Sequence, residues 1–493
     1  MTASGPSLKR RVASAAGWNL LATLCERLIS FAVFVLVVRH IAPTAIGVVT
    51  LATVFIDMSV LISDGGLADT LIRHESPTDR TYSTAFWANL ALGLGMAAVV
   101  IALAHPLALF YEMPDLETIV DAMSPLFLLS TLGIVPFARV SREFGFRTLA
   151  YRSMTSTFAG GFAAVILAFA GFGIWALVAQ RLVAMLASTI MLWSVAPWIP
   201  RWQFSRAECR DLLWFGMKVT GSTICHQLTG TVVIMVLGAF CGSAAVGFYR
   251  LAQRLYDVVT QFTIMPLLRV ALRAFSITLD DRERFTATYL HMTGAISMIG
   301  MGAFFGLGAL AAPTVTLVFG PQWLPAAKLL TIMSISAVPM CCVVFLWPAL
   351  TACGRPGQLQ LFSMIEVAAS AGVTALAAPW GVVAVAVAQV LRAFAMVPYA
   401  FWLLARLAGI KPAAMLGKLW APVTAASIMA FALFLLVGQQ SAAMHSLTQL
   451  AIDVPVGIGL FGLALVILVP DEVAAVRRAL RSRFGARPTP SVS

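Results

Sequence analysis

Charged residues are scarce in this chain, and their scarcity excludes a water-soluble globular protein. Of its 493 residues, 11% are charged and 60% are hydrophobic, and the mean hydropathy is +0.91. A soluble domain of this composition would expose too much apolar surface to stay dispersed in water. The composition therefore predicts an all-α protein that crosses a membrane many times.

Cysteines are also few, and they do not stand in a metal-binding or disulfide pattern. The seven cysteines are odd in number, no CxxC pair occurs, and six of the seven lie in or beside apolar segments. This usage indicates neither a disulfide framework nor a zinc site. We therefore expect no metal and no cofactor.

Catalytic constellations are missing from the sequence as well. His40, His105 and His445 fall in short predicted external gaps, and none of the three has an acid beside it at ligand or dyad spacing. A membrane-embedded glycosyltransferase or polysaccharide polymerase would need catalytic acids or bases at an aqueous face. We therefore expect that the protein is not an enzyme.

Lysine and arginine are nearly absent from every second gap between the apolar segments. Of the 33, 25 fall in one set of alternating gaps and the chain ends, seven lie within segments, and Arg39 alone occupies the other set. Cytoplasmic loops carry such an excess of positive charge. The pattern predicts about fourteen transmembrane helices with both termini in the cytoplasm. It also explains the net charge of +12 through topology and anionic lipid, without nucleic acid.

The chain repeats itself after 200 residues. Residues 18–57 align without a gap to the residues 200 positions later, with nine identities. Among these, Gly47 recurs as Gly247 and Asp57 recurs as Asp257. Parallel repeats of this kind predict two six-helix lobes, with two extra helices after them, and alternating access between the lobes.

The repeat and the polar gap at its centre predict five divisions of the chain. They are an N-terminal six-helix lobe at 1–196, a cytoplasmic connector at 197–211, a C-terminal six-helix lobe at 212–410, two extra transmembrane helices at 411–470 and a basic cytoplasmic tail at 471–493.

Charged side chains inside the predicted spans mark the candidate site. Each costs roughly 2.5–3.5 kcal/mol on insertion scales, so it needs a partner, a cavity or a function. The predicted substrate-binding set, a cationic cavity for a polyanionic passenger, is Arg27, Arg181, Arg250, Arg254 and Arg392. The predicted ion-coupling set, for a proton or a sodium ion, is Glu26, Asp57, Asp257 and Glu366.

A second interpretation of these charges stays open, in which they form structural ion pairs. Arg254 lies three residues before Asp257 on one helix face, so the two side chains can pair, and Arg27 could pair with Glu26 or Asp57. Five arginines cannot all be neutralised by four carboxylates, which favours the cavity for the set as a whole.

Several short motifs resemble a known family over about residues 10–420. They are Val38-Arg39-His40-Ile41-Ala42-Pro43 with Gly47, Asp64-Gly65-Gly66-Leu67, Phe86-Trp87, Gly247-Phe248-Tyr249, Phe319-Gly320-Pro321-Gln322-Trp323 with Pro325-Ala326-Ala327, and Gly354-Arg355-Pro356. Together they resemble the polysaccharide-transport branch, of the Wzx-like exporter type, of the multidrug/oligosaccharidyl-lipid/polysaccharide (MOP) flippase superfamily.

The resemblance implies a V-shaped arrangement of two lobes, similar to MATE transporters, in the bacterial inner membrane. It implies a flippase that moves undecaprenyl-pyrophosphate-linked oligosaccharide repeat units to the periplasmic leaflet for exopolysaccharide or lipopolysaccharide synthesis, with cation coupling. The implied partners are this lipid-linked substrate, membrane lipid and a polysaccharide polymerase or export machinery.

Other functions on the same architecture stay open at this point. A lipid-linked peptidoglycan precursor is also an anionic lipid pyrophosphate, so its flippase is the first alternative, and another MOP-type antiporter is the second. An exporter of organic cations would need an acidic or aromatic cavity, which five arginines disfavour. A purely structural scaffold would have no reason to retain these charges.

Overall fold

The computed structural model is helical throughout and has no β-strand in the residues that it describes, which are 26–143, 145–196, 198–438 and 447–470. Twelve helices of the described ranges are long and apolar enough to cross a membrane. The structure therefore confirms the all-α polytopic fold class. The number of fourteen stays a prediction, because the part of the first predicted span before residue 26 lies outside the described residues, as does the predicted basic tail.

The chain divides into two compact units, which we call the first unit (1–248) and the second unit (249–493). This division does not test the predicted lobe boundaries, which stay predictions. The helices of the first unit are α1 (26–38), α2 (Pro43–Asp64), α3 (Leu67–Arg73), α4 (Asp79–Phe110), α5 (Pro114–Met123), α6 (Pro125–Arg142), α7 (Phe146–Phe169) and α8 (Trp175–Val195).

One helix, α9 (Arg206–Thr263), begins in the first unit and ends in the second. The further helices of the second unit are α10 (Met265–Ile277), α11 (Arg282–Ala309), α12 (Ala311–Phe319), α13 (Leu324–Ile335), α14 (Ala337–Val343), α15 (Leu346–Ala352), α16 (Pro356–Ala377), α17 (Val382–Leu403), α18 (Pro412–Gly438) and α19 (Leu447–Leu468). A π-helical turn follows α17 at Leu404–Ala408.

Each unit has its own packed interior and an apolar exterior. Tyr82 and Phe86 pack with Trp198 in the first unit, and Phe275 packs with Tyr289 in the second. Many other large apolar side chains point outward from the helices. Outward apolar faces on long helices fit a hydrocarbon solvent, whereas in water they would drive aggregation.

A pair of glycines ends α2 at a point where the backbone of another helix comes into contact. Gly65 and Gly66 separate α2 from α3, and both have the left-handed backbone conformation, with φ of 53° and 63°. A side chain at Gly216 of α9 would collide with the carbonyl oxygen of Gly65. Only glycine allows both the left-handed turn and this approach without strain.

A second glycine break divides α9. Gly242 has φ 77° and ψ 178°, which no helix contains, so α9 is two helices joined at this residue. The break ends one helix and begins the next.

Gly47 and Gly247, which the repeat equates, make reciprocal contacts within the first unit. A Cβ atom on Gly47 would collide with the carbonyl oxygen of Ser243, and one on Gly247 would collide with the carbonyl oxygen of Pro43. Pro43 and Ser243 are themselves 200 residues apart. The contact therefore has the two-fold symmetry that a 200-residue parallel repeat requires.

We expect Gly47→Ala and Gly247→Ala each to destabilise the protein by about 1–3 kcal/mol, because backbone must move to admit the methyl group. Denaturant unfolding of the purified protein in mixed micelles measures the loss. Gly95→Ala is the matched control, since among the described residues no atom lies within 4 Å of a Cβ there. Equal stability of all three variants would contradict the close contact.

Candidate functional site

In the first unit, Asp57 of α2 forms an ion pair with Arg181 of α8. The two guanidinium nitrogens Nη1 and Nη2 donate to the two carboxylate oxygens at 2.8 and 3.0 Å. Such a two-bond arrangement is the strongest that an arginine makes with a carboxylate. Both side chains stay accessible, with 34% of Arg181 and 47% of Asp57 exposed. The pair is therefore not buried within the first unit.

Glu26 of α1 is held by a different helix of the same unit. The hydroxyls of Ser153 and Thr157 on α7 donate to Glu26 Oε1 at 2.6 and 3.4 Å. Arg152, the neighbour of Ser153, interacts electrostatically with the same carboxylate. Arg27 follows on α1 and is half-buried. The two predicted residues of α1 therefore lie in the first unit, with Glu26 bound to α7.

The second unit encloses a polar cavity of about 320 Å³ that contains three of the predicted residues. Asp257 of α9, Glu366 of α16 and Arg392 of α17 all line it. The hydroxyls of Tyr249 and Tyr256 add polar groups to an otherwise mainly apolar wall. The fold thus brings together residues that are up to 135 positions apart in sequence.

Arg392 is fixed in this cavity by a network of polar side chains. Its Nη1 donates to Glu366 Oε1 at 3.3 Å, and its Nε donates to Gln389 Oε1 at 2.8 Å. Gln389 in turn donates to the hydroxyls of Thr374 at 2.6 Å and Ser370 at 3.1 Å. Only 12% of the Arg392 side chain is exposed. The network orients the guanidinium, and Glu366 supplies its counter-charge.

The two remaining arginines lie on the same helix as Asp257. Arg250 Nη1 donates to Gln253 Oε1 at 3.3 Å, and both Arg250 and Arg254 interact electrostatically with Asp257. This is the cluster that the spacing along one helix face predicts. The second unit therefore contains two of the residues predicted for ion coupling and three of the arginines predicted for substrate binding. Their assignment to substrate binding and ion coupling stays a prediction.

Sequence reasoning missed three participants. Arg152 was counted among the gap residues, yet it lies on α7 with its guanidinium 4.9 Å from the ring centre of Phe137. His105 was left without an acid, yet its Nδ1 lies 2.9 Å from Glu117 Oε2 at the exposed ends of α4 and α5. Asp64 stands in the sequence only as part of the Asp64-Gly65-Gly66-Leu67 motif. Contacts between helices decide all three, and spacing along the chain carries no signal of them.

The fold is shared with solved structures of membrane proteins. A structure titled "Lipid II flippase MurJ, inward closed conformation" superposes with a TM-score of 0.74 at 14% identity, covering 92% of this chain and 99% of that one. An inward-facing MATE-family multidrug transporter superposes with a TM-score of 0.61 at 14% identity, covering 77% and 94%. Both likenesses concern the fold alone.

The sequence defines the family. The family described as "Polysaccharide biosynthesis protein" matches residues 36–328, and the chain belongs to it. The resemblance predicted from the motifs is therefore confirmed.

Named relatives support the same assignment. The succinoglycan biosynthesis transport protein ExoT of Rhizobium meliloti (strain 1021) is 30% identical over 73% of each chain. The teichuronic acid biosynthesis protein TuaB of Bacillus subtilis (strain 168) is 24% identical over 68% of this chain and 69% of its own. The lipopolysaccharide biosynthesis protein WzxC of Escherichia coli (strain K12) is 24% identical over 67% and 68%.

We expect Glu366→Gln and Arg392→Gln to be non-additive in stability. Each single change leaves one charge without its partner inside the helices, whereas the double change removes both. The coupling energy from unfolding of the two single variants and the double variant should be about 0.5–3 kcal/mol. Arg210 and Asp211, a pair 3.8 Å apart with both side chains largely exposed, are the control, with a coupling near zero. Additive losses at Glu366 and Arg392 would exclude an energetically significant pair.

Proposed function

We propose that this protein is a flippase that moves undecaprenyl-pyrophosphate-linked oligosaccharide repeat units across the bacterial inner membrane for exopolysaccharide or lipopolysaccharide synthesis. Its family is described by polysaccharide biosynthesis, and the relatives above are named for succinoglycan transport and for teichuronic acid and lipopolysaccharide biosynthesis. Both termini lie in the cytoplasm in this proposal, as the distribution of Lys and Arg predicts. A polysaccharide polymerase or export machinery takes up the product.

The observation that carries the proposal is the second-unit cavity, where Arg392 faces Asp257 and Glu366 between membrane-spanning helices. A pyrophosphate and a hydrated sugar are both excluded by hydrocarbon, so their passage needs a polar path with positive charge. Guanidinium groups offer phosphate a rigid set of donors. The polyprenyl tail is apolar and can remain in the lipid throughout.

The ion pairs suggest how substrate and cation are linked. At rest, Arg181 is neutralised by Asp57, and Arg392 is neutralised by Glu366. A proton or a sodium ion on either carboxylate would remove its negative charge and leave the guanidinium available for a phosphate oxygen. Substrate binding and cation binding then favour each other, which is the thermodynamic requirement for coupled transport. Alternating access carries the loaded site from one side of the membrane to the other.

The first test concerns the cationic cluster of α9. We expect the double variant Arg250→Ala and Arg254→Ala to lower polymer secretion at least about tenfold in a strain that lacks the native gene, because charge-assisted hydrogen bonds to phosphate contribute about 1.5–3 kcal/mol each. Lipid-linked repeat units should accumulate on the cytoplasmic leaflet. Both quantities are measured at matched protein levels in the membrane.

Lys328→Ala is the control for this test, since Lys328 is a cation near the end of a predicted span and outside the candidate site. It should secrete normally. Wild-type secretion by the double arginine variant would show that the proposed headgroup site is wrong. Rescue of a strain depleted of its peptidoglycan precursor flippase, with no rescue of polymer secretion, would replace the proposal by the first alternative.

The second test concerns coupling. We expect Asp57→Asn and Glu366→Gln to retain exchange of a fluorescent lipid-linked oligosaccharide between leaflets of proteoliposomes, but to lose its acceleration by an imposed proton or sodium gradient. Each amide mimics the neutral carboxyl, so the guanidinium is released without a cation. Acceleration that equals that of the wild-type protein in both variants would remove both residues from the coupling role.

A further inference from the structure

A second polar cavity lies inside the first unit, and none of the predicted site residues appears among its described lining. Its volume is about 340 Å³. At the liquid's roughly 30 Å³ per molecule, this is room for on the order of ten waters. Its charged lining residues are Asp64 of α2, Asp69 of α3 and Arg152 of α7. The cavity is large enough to hold water. Charged residues between membrane-spanning helices are candidates for a functional site.

Asp64 receives few hydrogen bonds for a carboxylate that lies between helices at the wall of a cavity. Ser130 of α6, a buried residue, donates its hydroxyl to Asp64 Oδ1 at 3.0 Å, with Oδ2 at 3.3 Å. A hydroxyl has one proton to give, whereas a carboxylate has about four acceptor positions. Leu67 and Ile134 contribute apolar wall beside it. The carboxylate therefore has acceptor capacity that faces the cavity.

Two buried polar atoms of the same cavity lack a hydrogen-bond partner within the described ranges. They are the hydroxyl oxygen of Thr220 on α9 and the Nε of Arg152. Thr220 is only 6% exposed. A buried polar group without a partner is costly, so its retention points to an occupant of the cavity that satisfies it.

The Asp64-Gly65-Gly66 motif explains why these groups meet. A Cβ on Gly66 would come within 2.9 Å of the Thr220 hydroxyl, so the absence of a side chain lets α9 approach the turn. The motif thus ends α2 with a carboxyl group and presents it beside a hydroxyl from a helix more than 150 residues later in sequence. Both side chains line the cavity.

We propose that Asp64, with the hydroxyls of Ser130 and Thr220, is a proton-binding site of the first unit, and that Arg152 is the fixed cation that opposes proton binding. The proposal rests on the proposed function and adds a coupling site to it. A proton arrives from a hydronium ion in the cavity, one O–H bond breaks there, and one forms on the Asp64 carboxyl. The new O–H donates to water in the cavity, and that water also reaches the Thr220 hydroxyl, which satisfies it.

A proton fits this cavity better than a metal cation. A sodium ion would leave Asp64 ionised beside a mainly apolar wall, whereas a proton leaves a neutral carboxyl group there. The other charged lining group is the exposed Asp69, while the described lining residues of α6, α8 and α9 are uncharged. Protonation removes the Asp64 charge without bringing in another ion.

Arg152 connects this site to α1. It interacts electrostatically with Glu26, and Ser153 beside it donates to that same carboxylate. Asp64 and Arg152 line the same cavity, so protonation of Asp64 removes a negative charge from the surroundings of Arg152. Proton occupancy therefore changes the electrostatic environment of a residue that interacts with Glu26 of α1.

The test is infrared difference spectroscopy of the purified full-length protein in lipid nanodiscs during a pH titration. We expect C=O stretching bands of protonated carboxyl groups to appear on acidification, and one of these bands to be lost in Asp64→Asn. Asp69→Asn, in the same cavity, is the matched control and should retain the band. Thr220→Val should shift the pH at which the band appears. An unchanged band in Asp64→Asn would overturn the proposal.

Two further measurements separate the competing outcomes. Asp64→Glu should restore a titrating band, which shows that loss in Asp64→Asn does not come from misfolding. Replacing choline chloride by sodium chloride at constant pH should leave the wild-type band unchanged, and its disappearance would overturn a proton site in favour of sodium. The spectroscopy needs no substrate, so failure of the wild-type gene to restore polymer secretion refutes the proposed function and leaves this site standing.

Discussion

The pairing of guanidinium and carboxylate groups between membrane-spanning helices is the interaction on which the proposed function depends. In hydrocarbon an isolated charge is costly, so each arginine of the interior needs a counter-charge while no substrate is bound. Asp57 and Glu366 provide it for Arg181 and Arg392. In this proposal the same carboxylates can also release the arginines. A small cation that binds the carboxylate neutralises it, and the guanidinium group is then available to a phosphate oxygen.

Glycine contacts determine where these charges lie. The Gly65 and Gly66 turn places Asp64 at the wall of the first-unit cavity, and the break at Gly242 begins the helical segment that carries Asp257. Gly47 and Gly247 allow two helix starts to touch through their backbones. A direct contact between two backbones contains no side chain that could rearrange. The glycines therefore fix the positions of the helices that carry the charged residues.

The fold class followed from the sequence because bilayer insertion imposes its own pattern on composition and length. Apolar runs and the placement of Lys and Arg are set by the membrane and can be read residue by residue. The cluster of Arg250, Arg254 and Asp257 followed as well, since one helix carries all three. The partners of Asp57 and Glu26 did not, because α8 and α7 supply them from more than 120 residues away. Asp64 was missed because its motif also has the composition of an ordinary turn.

The most direct measurement of the central claim is the affinity of the purified protein for undecaprenyl pyrophosphate, compared with an uncharged polyprenol of the same chain length. If interior guanidinium groups bind the headgroup, the pyrophosphate should bind at least about tenfold more tightly, which is 1.4 kcal/mol. Substitution of Arg250 and Arg254 by alanine should remove most of that difference. Equal affinities of the two lipids for the wild-type protein would contradict the account.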